Sequence, residues 1–305
     1  MKTKSNPTPI LHTIQTGGSG TGHGYYSRYA GGCPLAASLD FSSEENTMSE
    51  KSGRNLGTIA HALHELRWKK QLNQDNDLSI VEFSQHVDEE NREGALRVVR
   101  YFNEVLPEED ALGTVLEVEA QYPRDERDKS ILDTLYDVPF TFRLDLVTKL
   151  TRKHIDRLKR KPLQWTGGLL KPGKTLWDYK HYGRREGNLI DKATGSTQYA
   201  AYMQAYNALF PKDPIIQTVQ ASIFTTKEID IWLTVVPVDE HIQEVSAHLI
   251  KMGAADAENY PLLTIPTENN CFPYGSLCRH LKNSTCDRLG PTNLGLVQLK
   301  KAGLV

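Results

Sequence analysis

Apolar and polar positions change period several times along this chain of 305 residues. Over 55–71, "NLGTIAHALHELRWKKQ", apolar residues recur at helical spacing and predict a helix. A second helix is predicted over 89–105. "TVLEVEAQY" (114–122) alternates with period two, which predicts a strand. Alternation puts Glu117, Glu119 and Gln121 on one face and Leu116, Val118 and Ala120 on the other. "FTFRLDLVTKL" (140–150) alternates too, with Phe142, Leu144 and Leu146 on one face and Arg143, Asp145 and Val147 on the other. "LWDYKHYG" predicts a further strand. There Asp178 and Lys180 share a face, while Trp177 and Tyr179 point the other way, toward a core. A helix over 196–210 follows. "IIQTVQASIF" and "IDIWLTVVPV" then read as a β-hairpin across "TTKE", and a last helix covers 239–252. Helices, three strands, a helix, two strands and a helix make a mixed α/β protein rather than a regular βαβ repeat.

Between the second and third strands lies a basic run of Lys149, Arg152, Lys153, Arg157, Lys159, Arg160 and Lys161 against Asp156 alone. The stretch that follows, through Pro172 and Gly173, carries turn signals and no clean period. The basic run suits either a phosphate backbone or a solvated charged surface. The opening 1–30 are polar and Gly-rich, and "TGGSGTGHG" resembles a phosphate loop only superficially. His23 and Gly24 stand where such a loop needs Lys and Ser or Thr, and no strand precedes it, so a flexible segment is expected.

Composition narrows the classes. The chain is 39% hydrophobic and 24% charged, ordinary for a globular protein. A net charge of −2 excludes a globally basic polyanion binder, so a nucleic-acid site would be a local patch. "MKTKSNPTPILH" lacks the apolar run of a signal peptide, and no stretch approaches a membrane span. A cytosolic protein, with no membrane partner and no structural disulfides, is the expectation. Of the four cysteines, Cys33 stands alone near the start, and Cys271, Cys278 and Cys286 cluster near the end. Clustered cysteines in a reducing compartment point to metal or cluster ligands.

Glu117 or Glu119, Asp145, Asp178 and Lys180 sit among apolar strand residues, where charge is costly unless paired or metal-bound. Carboxylates on neighbouring strands can hold a hard divalent cation that accepts phosphate oxygen. A lysine beside it can orient a water and neutralise developing charge. By itself an Asp-x-Lys spacing equally suits a surface ion pair of little worth.

The order of the companions changes this. "GTIAHALHE", "LEVEAQY", "FRLDLV", "LWDYK" and "STQYAAY" together resemble the RecB-like branch of the PD-(D/E)XK nuclease superfamily, over residues 25–290. The resemblance implies a restriction-endonuclease-like α/β core, a central mixed β-sheet flanked by helices. It implies Asp145, Asp178, Lys180, Gln198 and Tyr202 as catalytic residues. Metal ligands would be His61, which follows Gly57 at the family's helical spacing, with Asp145, Asp178 and the carbonyl of Tyr179. Glu119 is a further acid, ranked above Glu117. His64 and Glu65 are expected to face solvent. About thirty residues separate Asp145 from Asp178, a longer connection than a minimal hairpin.

"YAGGCPLAASL" and "NNCFPYGSLCRHLKNSTC" match the cysteine elements that several RecB-like nucleases carry before and after the nuclease core. Cys33, Cys271, Cys278 and Cys286 would then ligate a [4Fe–4S] cluster joining the N- and C-terminal segments. The Cys-x6-Cys-x7-Cys spacing is looser than in familiar members, and zinc on four thiolates or reduced bystander cysteines remain the rivals. The implied organisation is a single domain. Residues 1–30 lead into cysteine elements over 31–54 and 265–290, and the nuclease core spans 55–252. The implied activity is Mg2+- or Mn2+-dependent hydrolysis of DNA, by an exonuclease acting on single strands or ends. A structure-specific endonuclease or a catalytically inactive DNA-binding scaffold are the alternatives. No Walker A pattern is present, so no helicase is built in: either the chain works alone or a separate helicase or recombination partner supplies single strands, in the cytoplasm of a bacterial or phage-infected cell.

Overall fold

Nine- to eleven-residue runs of alternating or wholly apolar character need a partner on each edge, and here they find one another. A computed structural model describes residues 52–73, 89–182, 189–225, 228–237 and 239–259, with His23, Tyr26, Ser27 and Ala30 before them. Among these the elements in chain order are α1 (Ser52–Gln71), α2 (Glu89–Val105), β1 (Thr114–Tyr122), α3 (Glu126–Tyr136), β2 (Phe142–Leu150), α4 (Arg152–Leu158), β3 (Gln164–Gly167), β4 (Gly173–Tyr182), α5 (Leu189–Thr194), α6 (Thr197–Leu209), β5 (Ile215–Thr225), β6 (Ile229–Pro237) and α7 (Glu240–Asn259). The strands form one mixed six-stranded sheet in the order β1-β2-β4-β5-β6-β3. The fold is α/β, with helices on both faces of that sheet.

β1, β2 and β4 pair antiparallel in turn, and β5 and β6 form the expected hairpin. β4 and β5 run parallel, so the chain must cross over between them, and α5 and α6 make that crossover. The central β4 is buried continuously from Lys174 to Tyr179, as a strand covered on both faces must be.

Two apolar clusters flank the sheet. On one side α2 presents Ala95, Val98, Phe102 and Val105 at helical spacing. These pack with Ile59 and Trp68 of α1 against Trp177, Tyr179, Val219 and Leu233. On the other side Ala201, Met203, Tyr206 and Leu209 of α6 pack with Tyr136 of α3 and Ile250 of α7 against Phe142, Leu144, Val147 and Leu176. Tyr26 joins this second cluster, and its hydroxyl donates to the carbonyl of Pro139 at 2.6 Å.

Four elements, α3, α4, β3 and α5, go beyond the sequence pattern. α3 opens on Asp125, whose carboxylate caps the helix by accepting from the backbone N–H of Asp128. The basic run folds into α4, started by a Thr151–His154 capping box, and then into edge strand β3. Arg157 forks onto Asp110 at 2.8 and 2.7 Å, and Lys161 meets Glu108 at 2.7 Å. Lys149, Arg152, Lys153, Lys159 and Arg160 remain exposed. α4 follows the end of β2 that pairs with Gly173, away from the end of β4 that carries Asp178 and Lys180. No helix among the described residues is long and apolar enough to cross a membrane.

Candidate active site

The β2–β4 ladder runs from Leu150↔Gly173 to Leu146↔Trp177 and stops. The next residue on β2 is Asp145 and the next on β4 is Asp178, so both acids stand at the fork where the strands part. The backbone N–H of Tyr179, freed from the ladder, donates to Asp145 Oδ2 at 3.2 Å. On β1 the flanking pairs Val118↔Leu146 and Ala120↔Leu144 set Glu119 opposite Asp145. Glu119 has φ of 49°, a left-handed conformation that costs a non-glycine residue energy and is a common mark of functional positions.

This conformation breaks the expected alternation. Glu119 and Glu117 do not share a direction. Glu117 accepts from the hydroxyls of Tyr122 and Tyr206 at 2.6 and 3.2 Å, whereas Glu119 turns to His61 and Arg143. The same break falls on β2. Phe142 and Leu144 lie in the α6-side cluster, while Leu146 lies in the α1-side cluster.

α1 brings His61 over this fork. Its Nε2 is 2.9 Å from Asp145 Oδ2 and its Nδ1 is 3.3 Å from Glu119 Oε1. Arg143 Nε lies 3.0 Å from the other oxygen of Glu119. One ligand atom each from His61, Glu119 and Asp145 lies within 4.8 Å of the others, a spacing that could hold a metal ion. The charges agree with such a set. Burial alone would discharge His61, but Asp145 and Glu119 beside it hold the ring protonated, with a pKa raised to about 10. Burial, reinforced by Asp145, raises the Glu119 carboxyl to about 7 against the pull of His61 and Arg143. Asp145 itself is held low: burial opposes ionisation, but His61, Lys180 and the Tyr179 N–H outweigh it. The imidazolium bridges the two acids.

Asp178 and Lys180 do share a face, with Lys180 Nζ 3.0 Å from Asp178 Oδ1. Lys180 is 39% exposed and Asp178 10%, so the ammonium opens toward solvent over a buried acid. Burial works against the Lys180 charge, yet Asp178 and Asp145 raise its pKa. Trp177 and Tyr179 point to the α1-side core, where Tyr179 OH accepts from Trp68 Nε1 at 2.8 Å. On α6, Gln198 Nε2 donates to Tyr202 OH at 3.0 Å, and the Tyr202 ring packs on Phe142. Gly57 lies against His181, the residue after Lys180.

His64 overturns its expected solvent position. It is fully buried, stacks on Tyr179 with ring centroids 4.8 Å apart, and meets Phe102 edge-on. The reason is helical: Ala60, His64 and Trp68 recur at four-residue spacing on the face that α1 turns to the sheet. Glu65 is half-buried and paired with Lys69. Cys33, Cys271, Cys278 and Cys286 lie outside the described residues, as do most of 1–30 and 31–51 and all of 260–305. Sequence reasoning missed Arg143 as a partner of Glu119. It also missed Tyr199 and Gln220 beside Asp178; a glutamine inside the apolar run of β5 was the available signal.

No family model matches the chain, and no curated protein matches it. Among solved structures, one described as the crystal structure of "Putative exonuclease" from Eubacterium rectale is similar at 10% identity and a TM-score of 0.45. The alignment covers 88% of this chain and 96% of that one. At this distance the functional reading stands on the residues of this chain.

Proposed function

We propose that this chain is a metal-dependent deoxyribonuclease, hydrolysing phosphodiester bonds from DNA ends or along single strands. One observation carries the reading: Glu119, Asp145 and Asp178 converge with His61 and Lys180 at a single break in the β1–β2–β4 sheet. A fold that needed only stability would not collect three carboxylates in a largely buried place, where unpaired charge is costly.

His61, Glu119 and Asp145 would hold a divalent cation, with Asp178 and the Tyr179 carbonyl completing its shell. The donor set is mixed. Carboxylate oxygens suit Mg2+ or Mn2+, and the imidazole nitrogen shifts the preference toward Mn2+. When bound, the cation polarises the phosphate and acidifies a water. The chain's residues do the rest. Lys180, held charged by Asp178 and Asp145, donates hydrogen bonds to the water or to a phosphate oxygen, and it offsets charge building on phosphorus. In that state it cannot take the water's proton. Its role is orientation and charge stabilisation. Gln198 and Tyr202 line the α6 side and steady the lysine or contact DNA. The end preference, like the [4Fe–4S] cluster on Cys33, Cys271, Cys278 and Cys286, rests on the family resemblance, with zinc as the cluster's rival. A helicase or recombination partner fits a chain with no motor motif.

End-labelled and circular DNA, single-stranded and duplex, incubated with Mg2+ or Mn2+, test this. Degradation of linear but not circular strands is expected. Cutting of circles would make it an endonuclease. DNA binding without turnover in any metal would make it a scaffold. Activity surviving in both Asp178→Ala and Lys180→Ala would refute the site.

A further inference from the structure

Asp178 has a second support, which no part of the nuclease pattern names. Asp178 on β4 and Gln220 on β5 are register partners across a parallel ladder, so both side chains face α6. Tyr199, in the first turn of α6, drops its hydroxyl between them. The oxygen lies 2.7 Å from Asp178 Oδ2 and 2.7 Å from the Gln220 side-chain amide. Tyr199, Asp178 and Gln220 are all buried, so water is not the natural partner of any of the three. The amide also reaches Ser222 Oγ at 2.8 Å and Tyr182 OH at 3.3 Å.

Counting donors orders this chain. A tyrosine hydroxyl has one hydrogen, and a carboxylate and an amide oxygen would both require it. The conflict disappears if the Gln220 amide turns its NH2 toward Tyr199 and its oxygen toward the hydroxyls of Ser222 and Tyr182. Oxygen and nitrogen of such a group are assigned from the network around them. The single Tyr199 hydrogen is then free for Asp178: Ser222 and Tyr182 donate to Gln220, one N–H of Gln220 donates to Tyr199, and Tyr199 donates to Asp178. Lys180 occupies the other carboxylate oxygen at 3.0 Å. Asp178 is therefore clamped from both sides, by Tyr199 of α6 on one oxygen and by Lys180 of its own strand on the other.

We propose that Tyr199, oriented by Gln220, is a positioning residue that fixes the Asp178 carboxylate for metal binding and turnover. This rests on the nuclease reading of Asp178. Partners that orient a ligating carboxylate typically change metal affinity or activity by about 10- to 100-fold when removed.

The test uses Tyr199→Phe, which keeps the buried ring and loses only the hydroxyl, and Gln220→Leu, which keeps the volume and loses the amide. Mn2+ binding is titrated without DNA, and steady-state DNA cleavage is measured beside it. Asp178→Ala serves as reference. Tyr199→Phe should weaken Mn2+ binding and lower kcat about 10-fold with KM for DNA unchanged. Gln220→Leu should act in the same direction and more weakly. The double variant should be no worse than Tyr199→Phe alone, because Gln220 acts through Tyr199. Wild-type Mn2+ binding and kcat in Tyr199→Phe, with Asp178→Ala defective, would overturn the positioning role and leave the nuclease reading standing. A raised KM with unchanged Mn2+ binding would also overturn it, by making Tyr199 a DNA contact. Wild-type Mn2+ affinity in Asp178→Ala would overturn the role together with the reading of Asp178 on which it depends. Should Tyr199→Phe fail to fold, Gln220→Leu decides by the same two measurements.

Discussion

Glu119→Gln should make the metal-free protein more stable at pH 8 and less able to bind metal. Glu119 is 9% exposed, faces Asp145 across the β1–β2 ladder, and has a folded pKa near 7 against an ordinary 4.5. A carboxyl raised by folding contributes its full stability below pH 4.5 and loses it as the pH climbs through 7. Above pH 7 the ionised group therefore costs the fold roughly 3 kcal/mol, at 1.36 kcal/mol for each pH unit of displacement. Glutamine keeps the shape and carries no charge to desolvate; its one oxygen accepts from either His61 or Arg143, and its NH2 facing the other donor offsets part of the gain. For a chain of this size that is a rise in Tm on the order of 5 °C at pH 8, and close to none near pH 4.5. Differential scanning calorimetry at the two pH values, with chelator and then with Mn2+, reads both effects. The Mn2+-induced rise in Tm should shrink in the variant, because one oxygen ligand has lost its charge. A lower Tm at pH 8 in chelator, or an undiminished response to Mn2+, would show that Glu119 is a structural acid and refute the reasoning.

Three further outcomes are expected. His61 is protonated in the metal-free cluster up to about pH 10, so a metal that takes its nitrogen must expel that proton. Isothermal titration of Mn2+ at pH 8 in buffers of different ionisation enthalpy should report close to one proton released, and His61→Ala should abolish the buffer dependence. Gly253→Ala would push a methyl group into the backbone of Tyr26 and should cost about 2 kcal/mol, read as a lower denaturation midpoint. Unchanged stability would mean that Tyr26 does not pack on α7. Protein purified without oxygen should be brown, with broad absorbance near ~400 nm, and should lose its colour when Cys33 or Cys278 becomes serine. Colourless protein with stoichiometric zinc would replace the cluster by a zinc site.

Much of this architecture was legible because long elements carry their period in the sequence. α2 and β1 have the predicted limits, and β2, the β5–β6 hairpin and α6 lie within a few residues of theirs. Short elements were not legible. α3 buries only Leu132 and Tyr136, and β3 is four residues that acquire strand geometry from pairing with β6. The resemblance implied a shared site for His61, Asp145, Asp178 and Lys180; the sheet places His61 against Asp145 and Lys180 against Asp178. The rank of Glu119 over Glu117 was not decidable by alternation, since a residue with φ of 49° sends its side chain off the strand's period. His64 was misread for a related reason. α1 turns a partly polar face to the sheet, so polarity does not mark its solvent side. Tyr199 could not be found from sequence at all, because its partners are set by a β4–β5 register that only the folded sheet defines.

The proposed function places metal-dependent phosphodiester hydrolysis at the β2–β4 fork. Its most direct test is the cleavage of end-labelled single-stranded DNA by the purified chain, with Mn2+ and with chelator, beside Asp145→Ala and Lys180→Ala. Rapid loss of label is expected with Mn2+, none with chelator, and a fall in rate of at least ~100-fold in each variant, the usual order for losing a charge-stabilising group. Cleavage that persists in chelator, or that both variants retain at the wild-type rate, would contradict it.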